Sequence, residues 1–74
     1  MPEVPLLNGH EVVRVFEKLG WRKARQKGSH IILVKEGGHI TLSVPDHPEV
    51  ARGTLRSLIH LSGLTITEFL DALK

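Results

Sequence analysis

The chain has 74 residues, no cysteine, 41% apolar residues and a formal net charge of +2. That excludes disulfides and thiolate metal sites, argues against disorder, and leaves room for one small domain, residues 1–74, with a limited core. No apolar run nears the roughly 20 residues of a membrane helix, and the opening stretch Met1–Gly9 lacks the basic and apolar regions of a signal peptide, so a cytoplasmic protein is expected.

The first predicted element is a helix from Asn8 to Leu19. Asn8 suits the N-cap, Glu11 three residues on completes a capping box, and Leu7 with Val12 can staple across it. Val12, Val15, Phe16 and Leu19 recur at helical spacing, and Gly20 can take the left-handed position that ends the helix. Three short strands follow: about Trp21–Lys27, His30–Glu36 and His39–Val44. Gly28-Ser29 and Gly37-Gly38 are two-residue hairpin signals between them. Pro45-Asp46-His47-Pro48 breaks the sheet. A second helix runs from Gly53 or Thr54 to Ser62, with Leu55, Leu58 and Ile59 on its inner side and Gly63 at its end. Thr65 and Glu68 form another capping box, and Leu64 with Phe69 another staple, opening a last short helix. The fold class is α+β. The order is α-β-β-β-α-α, giving a three-stranded antiparallel sheet with helices on one face.

The two hairpin turns imply a register. Leu33 then faces Leu42, Ile31 faces Val44, Lys27 pairs with His30, and Arg25 pairs with Ile32. Paired residues share a face. Ala24, Ile31, Leu33, Ile40, Leu42 and Val44 would form the covered face. Trp21, Lys23, Arg25, Lys27, His30, Ile32, Val34, Thr41 and Ser43 would form the open one.

Charge along the chain is uneven. Between Lys18 and Lys27 there are five Lys or Arg and no acid. Such a stripe is the electrostatic footprint of a protein that meets phosphate backbones. His30 stands at its edge, after the Gly28-Ser29 turn. An imidazole can give or take a proton near neutral pH. Cations beside it can stabilise an anionic phosphorane. These parts suffice for metal-free RNA cleavage, in which a base activates the ribose 2′-OH against the adjacent phosphate. Ser29 suits the turn or the orientation of the imidazole; it lacks the partners of a nucleophile. His47, near the end of the third strand, is a candidate for a second acid or base. The five histidines match no metal-ligand spacing, so no metal and no cofactor is expected. Arg52, Gly53 and Thr54 open the second helix. Its exposed N–H groups suit a phosphate, Arg52 adds charge, and Thr54 suits an N-cap.

The blocks Gly20-Trp21, Arg25-Gln26-Lys27-Gly28-Ser29-His30, Val44-Pro45-x-His47, Gly53-Thr54-Leu55-Arg56-Ser57-Leu58-Ile59 and Gly63-Leu64 resemble the HicA (YcfA-like) toxin family, in order and over nearly the whole chain. The resemblance implies a double-stranded-RNA-binding-like fold and an mRNA interferase. It places the family's essential histidine at His30. It also implies a cognate HicB-like antitoxin that masks the active site. The loop from His47 to Arg52 departs from the longer, Lys-containing loop of many members.

The expected function is therefore a toxin of a type II toxin–antitoxin system, a metal-independent endoribonuclease. His30 is its general acid or base, Ser29 and His47 are accessory candidates, and Arg22, Lys23, Arg25, Lys27 and Arg52 hold phosphate. Gly28, Gly53 and Thr54 support the turns. Ile32 and Val34 offer apolar surface to the antitoxin. A non-catalytic RNA-binding domain using the same basic face is the alternative. A pure protein-interaction module would show no salt-dependent RNA binding at all.

Overall fold

Residues 3–74 are described by a computed structural model; Met1 and Pro2, which begin the stretch read above for a signal peptide, lie outside them. Asn8 starts the first helix, α1 (Gly9–Lys18), through a reciprocal cap. The Glu11 backbone N–H donates to Asn8 Oδ1 at 2.8 Å, and the Asn8 N–H donates to Glu11 Oε1 at 2.9 Å. Gly20, at φ 99°, turns the chain out of the helix. Three strands follow, β1 (Trp21–Lys27), β2 (His30–Lys35) and β3 (Leu42–Pro45), in an antiparallel sheet of order β1-β2-β3. Then come α2 (Arg52–Ser62), closed by Gly63 at φ 83°, and α3 (Ile66–Leu73), opened by the Thr65–Glu68 capping box.

The helices pack on one side of the sheet. From the sheet, Ile31, Leu33, Leu42 and Val44 are buried. They meet Val12, Val15 and Phe16 of α1, Leu55 and Ile59 of α2, and Phe69 of α3 in one cluster that also holds Leu7. Phe16 is the centre of an aromatic group, 5.2 Å from Phe69 and 6.3 Å from Trp21 between ring centroids.

The expected pairs Lys27↔His30, Arg25↔Ile32, Ile31↔Val44 and Leu33↔Leu42 are all present. Three details differ from the expectation. First, β1 carries a bulge: Lys23 pairs with Leu33 and Arg25 with Ile32, leaving Ala24 unpaired. A one-residue slip exchanges the faces. Trp21 is therefore buried at 5% exposure, Ala24 is exposed, and Lys23 lies opposite the core residue Leu33 and not on the open face. The gain is the burial of a large aromatic surface in place of a methyl group.

Second, the turn after β2 is centred on Glu36-Gly37, with the Gly38 N–H donating to Lys35 O at 2.9 Å. A two-residue type I′ loop needs positive φ at both central residues, and of Gly37 and Gly38 only Gly37 has it. Residues 38–41 accordingly stand outside the ladder, β3 begins at Leu42, and Ile40 is 47% exposed instead of covered.

Third, α2 begins at Arg52 with Ala51 as N-cap, so Thr54 lies inside the first turn and caps nothing. Tertiary bonds set this start. Val50 N–H donates to Leu7 O at 2.7 Å and Arg52 Nε donates to Val4 O at 3.0 Å.

Gly9 allows α1 to close on the end of β3. Its N–H donates to His47 O at 2.9 Å, and a Cβ there would sit 2.3 Å from Pro45 O. Alanine improves helix propensity by at most about 1 kcal/mol. Overpacking against backbone costs about 1–3 kcal/mol. Gly9→Ala should therefore lower the unfolding free energy, read as an earlier midpoint in urea denaturation.

Candidate nucleic-acid interface and active site

The Gly28-Ser29 turn closes the β1–β2 hairpin, with Gly28 at φ 59°. It sets His30 opposite Lys27 on one side and Pro45 on the other. His30, Lys27, Arg25 and Arg22 are all exposed. Arg25 pairs with Ile32 and Arg22 with Val34, so the bulge keeps both cations on the face of His30 although they are three residues apart. Ile32 and Val34 are half-buried between these side chains, and Ser43 is exposed beside Ile32. The helices cover only the opposite face, so this surface is an open, cationic plate with an imidazole at one end.

The turn is also held from the helix side. Asp46 N–H donates to Ser29 O at 2.7 Å. Gln26 Nε2 donates to Gly28 O at 3.3 Å and to Asp46 Oδ2 at 3.1 Å. His10 Nε2, in the first turn of α1, lies 3.1 Å from Asp46 Oδ1. Ser29 thus serves the turn through its carbonyl. His47 follows Asp46 with an exposed side chain, while its carbonyl accepts from Gly9.

Other expected site residues stand apart from this plate. Lys23 is exposed but belongs to the helix side of β1 by register. Arg52 is engaged with Val4 O, and Gly53 and Thr54 form the exposed start of α2. A groove of about 330 Å³ between α2 and α3 is lined by Arg56, Ile59, His60, Leu64, Thr65 and Ile66, and none of the residues around His30 contributes to it. Among the described residues, no three His, Asp or Glu side chains cluster so as to hold a metal ion. No helix among them is long and apolar enough to cross a membrane.

Asp46 and His10 were not legible as site residues. A lone Asp after a strand-ending proline is a common turn residue. Nothing in the spacing of His10, Gln26 and Asp46 signals that they meet.

The model of the family described as the HicA toxin of bacterial toxin–antitoxin systems matches residues 9–64, more than half of the chain. This chain belongs to the HicA toxin family. The match runs from α1 to the end of α2 and contains both the open plate and the Gly28-Ser29-His30 turn. The comparison with curated proteins gives no match. As a HicA toxin, the chain has a toxin's role in a toxin–antitoxin system, and the family implies an antitoxin partner.

The plate predicts where a polyanion contacts this HicA domain. Arg22→Gln, Arg25→Gln or Lys27→Gln should each flatten the log–log salt dependence of binding to single-stranded RNA by about 0.7 per lost phosphate contact. Lys23→Gln, on the other side of the strand, should flatten it less. Fluorescence titrations across a salt series give the slopes.

Proposed function

We propose that this HicA toxin is a metal-independent endoribonuclease that cleaves mRNA in the cytoplasm on the open face of its sheet. The observation that carries the reading is the placement of His30 at the uncovered end of β2, opposite Lys27 and in line with Arg25 and Arg22. Single-stranded RNA has a phosphate at every nucleotide, so a flat cationic face tracks its backbone without a deep pocket. Lys27 and Arg25 hold the scissile phosphate, Arg22 the next part of the strand, and Lys23 and Arg52 add longer-range attraction.

In the reaction, His30 acts as the base and takes the proton of a ribose 2′-OH. The 2′-oxygen forms a bond to the adjacent phosphorus and the bond to the 5′-oxygen breaks. The leaving oxygen takes a proton from an acid, for which His47 is the candidate. The products are a 2′,3′-cyclic phosphate and a 5′-hydroxyl. Lys27 and Arg25 oppose the negative charge that grows on the phosphoryl oxygens. Ser29 contributes by shaping the turn.

The antitoxin, a HicB-like protein, covers the same face. Ile32 and Val34 expose apolar surface among cations, and interfaces join an apolar centre with a charged rim. An acidic partner with an apolar centre would bury both and occlude His30.

His30→Ala should reduce cleavage of a defined RNA by about 10²–10⁴-fold with the fold intact, and wild-type cleavage should survive EDTA. A fully active His30→Ala protein removes His30 from the mechanism. RNA binding without cleavage by the wild type would establish the non-catalytic binding domain. For the partner, Ile32→Asp should weaken the complex with the antitoxin more than Lys18→Ala does, and RNA should compete with the antitoxin in co-purification.

A further inference from the structure

Asp46 takes no part in the proton transfers above, yet it links three elements at the active end of the sheet. Its N–H donates to Ser29 O at 2.7 Å. Its Oδ2 accepts from Gln26 Nε2 at 3.1 Å, and the same Gln26 amide donates to Gly28 O at 3.3 Å. Its Oδ1 lies 3.1 Å from His10 Nε2. His10 belongs to the first turn of α1, which the Gly9 N–H bond to His47 O pins to the same stretch of chain at 2.9 Å. A continuous path of polar contacts therefore runs from a rigid helix to both residues of the turn that precedes His30.

Packing does not replace this path. A Cβ built on Gly28 meets nothing within 4 Å, so no side chain packs against Gly28 in that direction. Nor does stability explain the path. His10 is exposed and Asp46 only half-buried, and water and salt screen such pairs. What the bonds supply is orientation. A displacement of about 1 Å in a catalytic group costs on the order of 10²-fold in rate.

We propose that Asp46 is a positioning residue of the cleavage site: together with Gln26 it holds the Gly28-Ser29 turn so that His30 and Lys27 address one phosphate. This inference rests on the ribonuclease reading, with His30 as the proton-transfer group. Asp46 does not touch the RNA; it acts through Gln26 and Ser29.

The test compares Asp46→Ala, Asp46→Asn, Gln26→Ala and the double variant Gln26→Ala/Asp46→Ala in steady-state cleavage of one defined RNA. In Asp46→Ala, kcat should fall about 10- to 100-fold while KM stays within about twofold, with little change in melting temperature. Asp46→Asn should recover most of kcat, because its amide oxygen still accepts from Gln26. Alanine and asparagine remove the same charge, so an equal loss in both would mean an electrostatic effect and overturn the proposal. The double variant should be no slower than Asp46→Ala alone, since the two side chains act in series; additive losses would overturn it. So would an unchanged kcat in Asp46→Ala, or a rise in KM alone. Amide hydrogen exchange gives a readout independent of activity. Exchange at Gly28, Ser29 and His30 should quicken in Asp46→Ala while Ile31–Val34 stay protected. If the wild type cleaves no RNA, the ribonuclease reading fails by itself. Exchange then decides the positioning: faster exchange in the turn upholds it, and unchanged exchange refutes it.

Discussion

Ala24 has no partner on β2, and the difference between the two faces of the sheet depends on that one unpaired residue. A strand alternates its side chains with a period of two, so an unbroken β1 could not bury Trp21 and also keep Arg25 and Lys27 beside His30. The bulge permits both. Burying an aromatic ring of this size contributes on the order of 2–3 kcal/mol, which matters in a domain with so small a core. Trp21 then reaches Phe16, and Phe16 reaches Phe69, so the same register shift ties the sheet to α1 and α3.

The open face follows from this arrangement and from size. The three helices that follow or precede the sheet all pack on one side, and the described residues form no further element on the other. Arg22, Arg25, Lys27 and His30 lie there in water, where cations are not penalised by desolvation. Ile32 and Val34 remain half-buried between them. A surface that is both cationic and partly apolar suits the two alternating occupants proposed above, a polyanion and a protein.

The His30 end of the sheet is built differently from its middle. In the middle, buried apolar side chains hold the strands. At the Gly28-Ser29 end, the core has run out, and the turn depends on hydrogen bonds from Gln26 and Asp46 and on the close approach of Gly9 to Pro45. A polar support of this kind leaves the neighbouring imidazole accessible, which an apolar one would not.

Several features were legible in the residues alone because they are local. The capping boxes at Asn8–Glu11 and Thr65–Glu68 join groups three residues apart, and the Gly28-Ser29 turn sets the Lys27↔His30 register without reference to the rest of the chain. The same turn placed His30 among cations, and the motif blocks led to the HicA family. The second hairpin was less legible: Gly37-Gly38 is compatible with a two-residue loop, but the chain turns one residue earlier. The bulge at Ala24, the start of α2 at Arg52 and the meeting of His10, Gln26 and Asp46 were decided only in the tertiary structure. Each is a choice between local alternatives of similar energy, settled by a contact with a distant segment: Trp21 with Phe16, Arg52 with Val4, and Asp46 with the turn and α1. Local bonding determined which elements form and where the Gly28-Ser29 turn lies; long-range packing determined which side chains share a face with it.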